Sequence, residues 1–144
     1  MQYGIQPLTS RMVMLLCVLT GACIEAPPSS PKSVSGGSAA RGGKLIVQYG
    51  CGNCHTIPGV PGARGLVGPP LNAFSQRTFI AGSFRNEGET LVKWIMAPQG
   101  MRPETAMPTL GVTPQHARDI AAYLYTLDHG GLGPPHLIPQ KVLP

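Results

Sequence analysis

No apolar run in this 144-residue chain can cross a membrane. The longest, residues 12–20, is far too short for a transmembrane helix. Basic clusters are missing too. Eleven Lys and Arg against six Asp and Glu give a net charge of +5, yet they form no run and no patch interleaved with aromatic residues. Nucleic-acid binding therefore has little support, and the mild positive charge suits solubility or steering toward an acidic partner. No internal repeat and no alternating apolar–polar strand pattern occurs, so the expected class is all-α. Cysteine is scarce at four, and no second Cys or His pair stands at zinc-knuckle spacing; beyond His55 only His116, His129 and His136 remain.

Gly and Pro are plentiful, at 19 and 16 residues, and they bracket the one dense motif: Cys51-Gly52-Asn53-Cys54-His55. On one helical turn, positions i and i+3 share a face. Both thiols can then add to the two vinyl groups along one porphyrin edge, and the next residue brings an imidazole under the ring. Cys-x-x-Cys alone is shared with zinc and dithiol redox sites, but the appended His points to covalent attachment of a c-type haem. A thioredoxin-like dithiol needs a preceding strand and a βαβ context, whereas this motif follows a Gly-flanked helical stretch. A haem also gives a small chain a large apolar centre to pack around.

The N-terminal residues carry a different signal. Arg11, the apolar run and the small residues Gly21 and Ala22 before Cys23 have the parts of an export signal over residues 1–22. Leu19-Thr20-Gly21-Ala22-Cys23 resembles a bacterial lipobox, except that Thr20 stands where Leu is favoured. Lipidation at Cys23 is preferred over plain secretion, with the protein at the periplasmic or outer face of the cytoplasmic membrane. Residues 23–42, rich in Pro, Ser and Gly, are expected to be a flexible tether, 43–130 the folded domain, and 131–144 a Pro-rich tail.

Within the domain, residues 44–49 read as a short helix running into the motif, 56–70 as a Gly/Pro loop, and 71–83 as an irregular turn with an extended piece. A helix is expected over residues 86–97, with Asn86 as its cap, Leu91, Trp94 and Ile95 on one face, and Pro98 stopping it. Thr113-Pro114 opens the last helix, lined by Ile120, Tyr123, Leu124 and Leu127 and ended by Gly130-Gly131. Arg77 is read as solvated rather than paired with a propionate, and Tyr125 as surface. Met96, Met101, Met107 and His116 are the candidates for a second iron ligand. Met107 is favoured because a loop can wrap over an open haem face, while a helix side chain is committed to its own packing.

Residues 43–127 resemble the class I cytochromes c, with the three-helix core of the mitochondrial carrier. The likeness rests on the Cys-x-x-Cys-His motif after a short helix, on Gly68-Pro69-Pro70-Leu71, and on an ungapped match over residues 90–107. It implies three main helices and Gly/Pro-rich loops around one covalent haem. It implies that the Pro69 carbonyl orients His55, that Leu71 packs on the haem, and that Trp94 fills an aromatic position of the pocket. It places Thr105 where a hydroxyl meets a propionate and Met107 as the sulfur ligand. Gly43, Val47 and Tyr123 fall at the crossing of the terminal helices, with Val47 weakening that packing. The activity implied is single-electron transfer rather than catalysis. Donors and acceptors would be a quinol-oxidising complex or dehydrogenase and a terminal oxidase. The alternatives are a haem subunit fixed in such a complex, or a gas-binding or peroxidase protein if Met107 does not ligate iron.

Overall fold

The computed structural model describes residues 32–128; the expected signal segment, Cys23 and the tail 131–144 lie outside the described residues. Helix α1 (Ala39–Gln48) starts at Ser38, whose side chain accepts a hydrogen bond from the Arg41 amide. That start falls inside the stretch read as tether. Gly36, Gly37 and Ser38 look like linker composition, but they lie against the last helix. Gln115 donates to the Gly36 carbonyl, the Ser38 amide donates to Asp119 Oδ1, and a Cβ on Gly37 would stand 2.9 Å from Ala122 Cβ.

Helix α2 (Gly88–Met96) begins two residues after Asn86, with Glu87 at its cap and no side-chain capping bond. Asn86 is no cap. It is buried, donating from Nδ2 to the carbonyls of Phe74 and Arg77 and accepting at Oδ1 from the Tyr125 hydroxyl. Tyr125 is accordingly core and not surface, and burial, reinforced by Glu87, pushes its phenol up to about 12. Pro98 ends α2 and, with its fixed φ, opens the one-turn helix α3 (Pro98–Met101). Helix α4 (Pro114–Leu124) has the expected Thr113 cap and Pro114 at its first position. It stops at Tyr125, short of the glycines expected to end it. The fold is thus mostly helical, with α1, α2 and α4 as its main helices.

The one small sheet among the described residues is a hairpin of two-residue strands, β1 (Phe79–Ile80) and β2 (Phe84–Arg85), pairing Phe79 with Arg85 and Ile80 with Phe84. Ala81 and Gly82 both have positive φ, 49° and 74°, and the Ser83 amide donates to the Ile80 carbonyl. Such strands are too short to leave an alternating pattern in the sequence.

Helix α1 crosses α4 at Gly42, beside the buried Gly43, and Tyr123 lies at the crossing as expected, whereas Val47 faces outward. Val47 is 53% exposed, while Ile46, one residue earlier, is 1% exposed. Beside that crossing Asp119 is buried and accepts from the Ser38 amide, Arg41 Nε and Nη2, and Gln115 Nε2. The Arg41 guanidinium, helped by the Ser38 amide and Gln115, holds the carboxyl below the usual carboxylate range against the opposing effect of burial. Replacing Asp119 with asparagine is expected to cost about 2 kcal/mol at neutral pH. A depressed carboxylate contributes stability that is full above its unfolded value of about 4 and is lost as pH falls through the lower folded value. Urea unfolding should therefore separate wild type from Asp119→Asn at pH 7 and bring them together in stronger acid. A gap that persists unchanged at low pH would show that the charge is not its source.

Candidate haem site

Gly50, in the left-handed region at φ 66°, turns the chain out of α1 and into a 3₁₀ turn at Cys51–Asn53. The Cys51 carbonyl accepts from both the Cys54 and His55 amides, at 3.2 and 3.0 Å. One tight turn therefore presents both cysteines and delivers the histidine. Cys51 and Cys54 are half-buried and not joined in a disulfide. Burial, with Cys54 adding, pushes the Cys51 thiol up.

The loop that follows is zipped onto this turn. The Gly65 amide donates to the Gly52 carbonyl, the Gly68 amide to Cys54, and the Leu71 amide to Thr56. The Thr56 hydroxyl donates to the Gly65 carbonyl. This brings Pro69 over His55, where its carbonyl lies 2.7 Å from Nδ1. With Nδ1 engaged, Nε2 is the ring nitrogen left to ligate. Gly68 lies against the ring so closely that a Cβ there would come within 2.6 Å of Nδ1 and 2.9 Å of Nε2.

Leu71 is half-buried against the core, and Trp94 is buried, its ring 5.9 Å from that of Phe84. Met96, Met101 and Met107 are all half-buried against the same core, so burial does not separate them. Secondary structure does: Met96 belongs to α2 and Met101 to α3, while Met107 lies in the non-helical stretch between α3 and α4. Its amide donates to Thr105 Oγ1 at 3.3 Å. His116 is committed elsewhere, with Nδ1 2.8 Å from the Tyr49 hydroxyl. Arg77 is not solvated as read: it is half-buried, donates to the carbonyls of Pro70 and Asn72, and stands 5.3 Å from the Phe74 ring centre.

These residues suit a haem. A paired thiol turn, an imidazole steered by one nitrogen, and a glycine that leaves room for that ring fit attachment through a porphyrin edge. A zinc site does not fit, because among the described residues no three His, Cys, Asp or Glu side chains gather as a metal would require.

Sequence reading missed the structural partners of the site. Gly42, Asp119 and the Tyr49–His116 pair join elements far apart in the chain, and no local pattern marks them. Only the Gly42-Gly43 pair inside a helix was a usable signal, since glycine there is unfavourable without a packing reason.

The fold and this site define a small helical protein suited to carry a covalently attached haem. The Cytochrome c family model matches residues 39–128, and the chain belongs to that family. Membership brings one covalently bound haem c with its iron, and the general function of haem electron transfer. The chain is also similar to cytochrome c oxidase subunit 2 of Alkalihalophilus pseudofirmus, at 30% identity over 90 residues. That match covers 62% of this chain and 25% of the relative, so the chain spans about a quarter of the relative's length.

Proposed function

We propose that this protein is a single-electron carrier of a respiratory chain. Cys51 and Cys54 would hold the haem, and His55 and Met107 would ligate its iron. When bound, haem c supplies a one-electron iron couple, and a thioether ligand favours the reduced state and raises the potential over that of a bis-histidine site. The observation that carries this reading is the Pro69 carbonyl 2.7 Å from His55 Nδ1, which steers the imidazole and leaves Nε2 for iron. In this reading Leu71 and Trp94 would shield the pocket from water, and the Thr105 hydroxyl would meet a propionate. With His55 and Met107 both holding iron, no ligand position would remain for a substrate, and the carrier would meet its partners at a small, short-lived interface.

Export and a lipid on Cys23 would keep the carrier at the outer face of the cytoplasmic membrane. Partners in this proposal are a quinol-oxidising complex or dehydrogenase as donor and a terminal oxidase as acceptor. The similarity to an oxidase subunit favours a second reading, in which the domain is a fixed haem subunit of such a complex. Co-purification with a membrane complex that survives high salt would support that arrangement, and elution as a lone chain would support the carrier.

Axial ligation is tested by the absorption spectrum of the oxidised protein. The far-red iron–thioether charge-transfer band is expected in the wild type and lost in Met107→Ala, whose reduced form should bind carbon monoxide readily. A wild type without that band, binding carbon monoxide as it stands, would replace the carrier reading with a gas-binding or peroxidase one.

A further inference from the structure

The stretch that carries Met107 is loosely tied. Residues 102–112 have no regular structure, and their internal hydrogen bonds are few: Thr105 amide to the Arg102 carbonyl, Met107 amide to Thr105 Oγ1 and Arg102 Nε to Glu104. Among the described residues, one hydrogen bond joins residues 102–112 to a distant part of the chain. Arg102 Nη1 donates to the Ala81 carbonyl at 2.7 Å, across 21 positions of sequence.

The far side of that bond is anchored. Ala81 forms the hairpin turn with φ at 49°, a conformation alanine adopts only at a cost. The hairpin is seated at Phe84 on the ring of Trp94. Arg102 thus reaches from the foot of the Met107 loop to the tip of a hairpin packed on the pocket's tryptophan. Its Nε also pairs with Glu104 at 2.9 Å, but Glu104 is 69% exposed and that pair contributes little on its own.

We infer that Arg102 is a positioning residue for Met107: by holding the Ala81 carbonyl it fastens the sulfur-bearing loop to the hairpin, and so sets how often that loop opens. The inference rests on the proposed ligation of iron by Met107. A ligand that enters only when Met107 leaves binds in proportion to the open fraction, so its apparent affinity reports the fastening.

The test titrates imidazole into the oxidised full-length holoprotein. Arg102→Ala is expected to bind imidazole about tenfold more tightly than wild type, the size of one charge-assisted hydrogen bond no longer opposing opening. Its far-red band should weaken, and the Thr105 and Met107 amides should exchange hydrogen faster while those of α4 do not. Glu104→Gln should stay within about twofold of wild type, since an exposed pair contributes little. Arg102→Lys, which keeps the charge but lacks the fork of donors, should fall between and carries the test if the alanine variant fails to mature. Wild-type imidazole affinity in Arg102→Ala, with a normal band that is lost in Met107→Ala, would overturn the inference alone. A band absent from the wild type, or surviving in Met107→Ala, would overturn the ligation reading and the inference with it.

Discussion

Gly42→Ala is expected to lower the thermal midpoint of the domain by about 15 °C, or to leave it unfolded, despite placing a better helix former in a helix. Intrinsic propensity alone favours the alanine by about 1 kcal/mol. The structure opposes it: a Cβ on Gly42 would stand 2.6 Å from the Asp119 carbonyl carbon, closer still to its oxygen, and 2.9 Å from Tyr123 Cβ. Those are backbone and root atoms of α4, which cannot turn aside as a flexible side-chain tip could. The helices must separate, and with them go the bonds from Ser38 and Arg41 to Asp119. Overpacking of this kind costs about 3 kcal/mol, which exceeds the propensity gain once the loosened crossing is included. Gly100→Ala is the matched control, since its Cβ would meet only Ala97 Cβ at 3.6 Å. Melting both variants decides it, and a Gly42→Ala protein as stable as wild type would mean that the helices cross with more room than described.

The contrast between Gly42 and His55 shows what a linear reading can and cannot recover. Cys51, Cys54 and His55 were legible because their chemistry depends on spacing within one turn, which is a property of sequence. Met107 was favoured for its place in a loop, and Pro69 was reached through resemblance, because its relation to His55 depends on how a long loop folds back. The start of α1 was misplaced because Gly, Ser and Ala look alike in a tether and in a closely packed helix start. Asn86 was read as a cap on sound local grounds, yet tertiary contacts claimed its side chain for three residues in two other segments. Arg77 and Tyr125 were assigned to solvent for the same reason: the carbonyls and the amide that satisfy them come from turns no local pattern reveals. Local chemistry survives translation into sequence, and long-range partnership does not.

The second large effect is expected at Gly68. Gly68→Ala should sharply reduce the yield of holoprotein with a normally ligated iron, because the new methyl would overlap the imidazole that the site exists to hold. The Cβ would lie 2.6 Å from His55 Nδ1 and closer to Cε1, so the ring must rotate or the loop must lift. Lifting the loop strains the Gly68 amide bond to Cys54 and the Leu71 bond to Thr56. Rotating the ring breaks the bond between Nδ1 and the Pro69 carbonyl, releasing the constraint that leaves Nε2 to ligate. Loss of such a partner typically weakens a metal–ligand arrangement by about 10- to 100-fold. The measurement is the fraction of purified chain carrying covalent haem, with the spectrum of what forms, compared with Gly100→Ala made in parallel. In the proposed site attachment depends on the two thiols and ligation on the imidazole, so the two readouts separate the causes. Normal attachment with an abnormal spectrum would place the damage at the His55 ring, and low attachment would place it in the turn that presents the cysteines. A variant normal in both would show that Gly68 does not confine His55 at all.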